Sequence, residues 1–121
     1  MFHIRAASLF LAIALSNGGA LAACERNEFG VFEDIGCASE AFTAADRELN
    51  AVYTKLLKSL DAVEQEALVK SQRSWLAFLE TNAKFIYAIE GDGSQGRLVV
   101  VNAREEYTRL RVKELKAWSP K

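Results

Sequence analysis

The sequence predicts an all-α protein, a three-helix up-down-up bundle with a short N-terminal disulfide-tied segment. Three observations predict it. Apolar residues recur at 3-, 4- and 7-residue spacing through long stretches of the chain. Helix-start and helix-stop signals separate those stretches: Asp61 with Glu64, then Gly91-Asp92-Gly93-Ser94. The only two cysteines, Cys24 and Cys37, stand close together near the beginning of the chain.

Residues 1–22 read as a secretory signal peptide, and 23–121 as the single helical domain. Met1 to Arg5 supply a short basic start, Ala6 to Leu15 an apolar run, and Ala20-Leu21-Ala22 a small-residue cleavage signal. The apolar run is too short for a transmembrane span, which takes about 20 residues. Removing residues 1–22 leaves 99 residues carrying 14 basic and 16 acidic side chains. That balance gives no basic face for nucleic acid. It also removes His3, the chain's single histidine. Without imidazole, Ser-His and Cys-His nucleophilic catalysis and an ordinary His/Cys zinc site lose their chemistry. No cofactor, metal site or catalytic residue is expected.

Cys24 and Cys37 admit two readings. In an oxidising compartment they pair as a disulfide, worth roughly 3 kcal/mol for a loop of about 15 residues. Leu21-Ala22-Ala23-Cys24 also fits a bacterial lipobox, in which Cys24 becomes a lipidated first residue. One sulfur cannot serve both. The location is periplasmic or secreted in the first reading and lipid-anchored in the second.

Along the mature chain, residues 23–42 are expected as short-range structure, about one helical turn bracketed by Gly30 and Gly36. The first long helix starts at Thr43 or Ala44, with Thr43 as N-cap, and runs to Leu60 on a stripe of Leu49, Val52, Tyr53, Leu56 and Leu60. The second is capped by Asp61 with Glu64 three residues on and runs to Ile89. Its stripe of Leu68, Trp75, Leu79, Ala83 and Ile86 is widened by Leu76, Phe78 and Phe85, which predicts cover on more than one side. The third runs from Gln95 to Trp118 with Ser94 as its cap. Val99-Val100-Val101 has local strand character that the surrounding helical pattern outweighs.

Two runs mix polar and apolar residues on one helical face. Asp46, Leu49, Asn50 and Tyr53 share a face of the first helix; Gln72, Trp75, Leu76 and Leu79 share one of the second. With the turn centred near Asp61, Asn50 lies 11 residues before it and Gln72 lies 11 after. The expectation is a polar network of Asp46, Asn50, Gln72 and Arg73 between these helices, roofed by Tyr53 and Trp75. Such a network more commonly fixes register than does chemistry.

On these runs the chain resembles the lysozyme inhibitor LprI-like family of small exported bacterial proteins. The carriers are Cys24, Glu33-Asp34-Ile35-Gly36-Cys37, Asp46 with Glu48-Leu49-Asn50 and Tyr53, Gln65, Ser71-Gln72-Arg73-Ser74-Trp75-Leu76, the glycine turn with Ser94, and Thr108 with Arg111 and Leu115. Relatives often carry a second cysteine pair, which here falls at Ala83 and Ala103. The resemblance implies a non-enzymatic protein-binding module whose partner is a protein, lysozyme or another cell-wall hydrolase. The exposed glycine turn, with Asp92, Ser94 and Arg97, is one candidate contact; the loop between the cysteines is another. Alternative roles are an immunity protein against a cell-envelope toxin and an envelope structural or stress factor without a tight partner.

Overall fold

The computed structural model describes residues 30–120. Residues 1–29, which include the expected signal peptide and Cys24, lie outside it. Among the described residues the chain is all helix: α1 (Val31–Ser59), α2 (Ala62–Glu90) and α3 (Ser94–Trp118).

The first helix starts twelve residues earlier than its capping signal suggests. Val31 follows Gly30, which holds the N-cap position with φ 78°. Thr43 is no cap: it lies inside α1, and its hydroxyl donates to the Ser39 carbonyl at 2.9 Å. Residues 31–42 of the segment expected as separate short-range structure are thus the first part of α1. The reason is packing. Ala38, Ala45, Leu49 and Leu56 are all buried and continue one stripe through the helix. That burial outweighs the cost of about 1 kcal/mol for Gly36 in mid-helix.

α2 opens as its sequence demands. The Glu64 amide donates to the Asp61 carboxylate, and the Asp61 amide donates to the Glu64 carboxylate, each at 2.9 Å. The neighbouring Gln65 turns back onto α1. Its Nε2 donates to the carbonyls of Leu57 (2.8 Å) and Leu60 (3.2 Å), satisfying acceptors that the end of α1 leaves open. This makes the α1–α2 corner tight.

At the other end, Gly91 takes φ 81° and its amide donates to the Tyr87 carbonyl at 2.9 Å. α3 begins at Ser94 itself. Ser94 is therefore the first helical residue rather than the cap, and Gly93 holds the cap position without a side-chain bond. Gly96 is buried, and a Cβ there would stand 1.8 Å from the Gly91 carbonyl oxygen. Only glycine lets the start of α3 lie so close to the end of α2.

The three helices do not pack equally. α3 lies closest along α1, α2 packs less closely on α3, and α2 stands furthest from α1. The core cluster joins Leu49 and Leu56 of α1 to Val112 and Leu115 of α3, with Val52, Tyr53, Leu60, Leu68 and Trp75 packed around it. Each fully buried side chain of this kind contributes about 1.5–3 kcal/mol. The small Ala38 and Ala45 let α3 approach the α1 backbone. α2 buries only Leu79 and Ala83. The full cover expected for its widened stripe is not found: Leu76, Phe78 and Phe85 are exposed. Phe78 still meets Tyr107 of α3 edge-on, ring centroids 5.0 Å apart. Ala83 is buried and Ala103 half-buried, the two positions at which the resemblance placed a second cysteine pair.

Candidate functional site

An open groove of about 250 Å³ lies between α1 and α2. Asp46, Leu49, Asn50 and Tyr53 form its α1 wall; Val69, Gln72, Arg73 and Leu76 form its α2 wall. The two walls have the same internal spacing. Their residues fall into four couples equidistant in sequence from Asp61: 46 with 76, 49 with 73, 50 with 72 and 53 with 69. The tight corner sets this register. The looser approach of α2 to α1 leaves the space open.

All four residues expected in the interhelical network therefore line one groove, yet they do not close it. Asn50 Nδ2 donates to Asp46 Oδ2 at 3.4 Å within α1. Gln72 is engaged elsewhere: its Oε1 accepts from Arg111 Nε at 3.1 Å. Among the described residues no hydrogen bond joins Asn50 to Gln72, and no ion pair joins Arg73 to Asp46. Arg73 is exposed. Tyr53 and Leu49 contribute to groove and core alike. Trp75 faces the core cluster and is not among the groove residues.

The polar link between helices is made by Arg111 of α3. It is 6 % exposed. Its Nε donates to Gln72, its Nη2 to Ser71 Oγ at 2.9 Å, and its Nη1 to Glu114 Oε2 at 2.8 Å. A planar guanidinium can serve these three acceptors at once. It orients Gln72, whose Oε1 is held and whose amide N–H groups remain for the groove. Sequence spacing around Asp61 could not find this, because the partner comes from the third helix. A usable signal was present: Arg111 interrupts an apolar and small-residue face formed by Thr108, Val112 and Leu115. Thr108 is completely buried, and its Oγ1 has no hydrogen-bond partner among the described residues.

A second cross-link ties α1 to α3 at the surface. Lys116 Nζ donates to Glu48 Oε1 at 2.6 Å. That hydrogen bond and the Lys116 charge hold the Glu48 carboxyl below the usual carboxylate range, with a smaller contribution from Arg109.

The glycine turn is short and tight. Asp92 and Arg97 are exposed and Ser94 is half-buried. The Arg97 amide donates to the Gly93 carbonyl at 3.0 Å, so Arg97 already belongs to the first turn of α3. Cys37 lies within α1; Cys24 is outside the described residues. No group of three or more His, Cys, Asp and Glu side chains among the described residues could hold a metal ion. No helix among them is long and apolar enough to cross a membrane.

Residues 24–115 match the family described as lysozyme inhibitor LprI. The chain belongs to the LprI family. The match spans all three helices and both walls of the groove. An uncharacterised protein of Rhizobium meliloti (strain 1021) is 29 % identical over 93 residues, covering 66 % of this chain and 67 % of its own. No solved structure matches the chain.

Proposed function

We propose that this LprI-family protein is an exported, non-enzymatic module that binds another protein, and that it acts as a lysozyme inhibitor. The family match supports the class of activity. The observation that carries a binding role is the groove itself. Eight residues from two helices are held in register around a space that the described residues do not fill. Their polar groups are positioned but only partly satisfied, an arrangement suited to recognition. The single histidine precedes the mature domain of this proposal, which removes Ser-His and Cys-His catalysis. Inhibition of a glycosidase requires steric cover of its cleft or engagement of its two carboxylates, and both need surface rather than chemistry.

In this proposal residues 1–22 direct export and are removed, and Cys24 pairs with Cys37 in the periplasm. The bond ties the segment before α1 onto the α1 surface. The turn residues Asp92, Ser94 and Arg97 provide a second, smaller contact at the opposite end of the bundle from the α1–α2 corner. The test is a cell-wall lysis assay with purified mature protein. Slowed lysis that titrates with inhibitor concentration supports the reading. Unchanged lysis at a large molar excess overturns the lysozyme assignment. Intact mass settles the cysteine proposal: a loss of two hydrogens marks the bridge, and a large gain marks lipid.

A further inference from the structure

We propose that the α1–α2 groove takes an extended segment of the partner polypeptide. One apolar side chain of that segment seats against Leu49, Val69 and Leu76, and its main chain pairs with the amides of Asn50 and Gln72. This rests on the protein-binding reading above but not on lysozyme being the partner.

Size argues first. About 250 Å³ falls below the roughly 300–1,000 Å³ of small-molecule and cofactor pockets. It suits one or two inserted side chains. The lining argues next. Leu76 is 52 % exposed at the mouth, an apolar contact left without cover. Beside it, Gln72 has spent its carbonyl oxygen on Arg111 and presents N–H donors to a peptide carbonyl. Asn50 has spent an N–H on Asp46 and presents its own carbonyl oxygen to a peptide N–H. One donor and one acceptor on opposite walls is the pairing that a passing peptide unit requires.

Charge completes the argument. The groove carries one anion, Asp46, on the α1 wall and one cation, Arg73, on the α2 wall, with no ion pair between them. A complementary segment presents a basic residue towards Asp46 and an acidic one towards Arg73, on either side of the apolar anchor. A segment with these two charges exchanged meets repulsion at both walls. The chain's own N-terminal segment is a poor occupant. Its anchor, Cys37, lies eleven residues before Glu48, about 20° away on the helical wheel. Cys37 thus shares the α1 face whose Glu48 bonds α3, well round the helix from Asn50.

The test uses the full mature chain and two arms. In the first, binding to purified lysozyme is measured for wild type, L76R, R73E, K113E and R97E, with circular dichroism confirming fold. L76R and R73E are surface changes that leave the core intact, and K113E matches the charge change of R73E. At least tenfold weaker binding by L76R and R73E, with K113E unchanged, is expected. Wild-type binding by both groove variants overturns the proposal while leaving the lysozyme reading in place. Loss confined to R97E moves the contact to the turn and overturns it too. If wild type does not bind lysozyme, the lysozyme assignment falls and the second arm decides the groove. A displayed random peptide pool is selected on wild type and on L76R. Enrichment on wild type alone, of sequences with an apolar residue between opposite charges, upholds the proposal. No enrichment, or equal enrichment on both, overturns it.

Discussion

Replacing Arg111 tests the central account of how α2 is held. The R111A change removes three hydrogen bonds and the side-chain stem of a residue that is 6 % exposed. They are not of equal worth. The Glu114 side chain is 56 % exposed and three residues away on the same helix, so that pair contributes about 0–1 kcal/mol. Ser71 is exposed and recovers a water. The bond to half-buried Gln72 carries most, about 1.5–3 kcal/mol for a hydrogen bond to a charged group. Lost packing of the stem adds about 1 kcal/mol. The expected cost is therefore about 3 kcal/mol, which lowers the melting temperature of a domain this size by roughly 12–24 °C. Urea and thermal unfolding followed by far-UV circular dichroism measure it. The variants R111M, Q72L and their double mutant form a cycle, with an expected coupling of about 1–2 kcal/mol. The double mutant regains much of the loss, because no half-buried acceptor is then left without its donor, and the exposed Ser71 and Glu114 turn to water. A cost for R111A below about 1 kcal/mol, or zero coupling to Gln72, would refute the reasoning.

Other expectations follow from single positions. Gly96→Ala places a methyl 1.8 Å from the Gly91 carbonyl oxygen and should cost about 3 kcal/mol by forcing the α2–α3 turn apart, read by chemical unfolding. Gly36→Ala has no atom within 4 Å of its new Cβ and should stabilise the chain by about 1 kcal/mol, since α1 runs through it; destabilisation would argue for a helix starting after residue 36. Thr108→Val removes a buried hydroxyl without a partner and should raise stability by about 1 kcal/mol. Glu48 has a lowered folded pKa, so its contribution is present above the ordinary carboxylate range and is lost as pH falls through the folded value. Glu48→Gln should flatten that part of the stability–pH curve. The effect is small because the pair with Lys116 is exposed, and an unchanged acid limb would show that it contributes nothing.

Some features were legible because they are local. The Asp61–Glu64 box, the glycine turn and the three apolar stripes depend on residues within one or two turns of each other. The register of α1 against α2 was legible as well, since a short corner leaves Asn50 and Gln72 at equal distances from Asp61. The early start of α1 was not. Gly36 and Thr43 are local arguments for a break, and α3 packing on Ala38 and Ala45 overrides them.

The amino-acid sequence by itself determined the helical class, the corners, the family and the residues that would share a space between α1 and α2. What only the tertiary structure decided was how that space is used. α3 takes the close position against α1, where Ala38, Ala45, Leu49 and Leu56 are buried, while α2 buries only Leu79 and Ala83. Arg111 of α3 then claims Gln72 before Asn50 can. Competition among three helices for the same partners has no trace in the spacing of any two. Its outcome is an open groove whose two walls mix polar and apolar side chains, where pairwise reasoning expected a closed network.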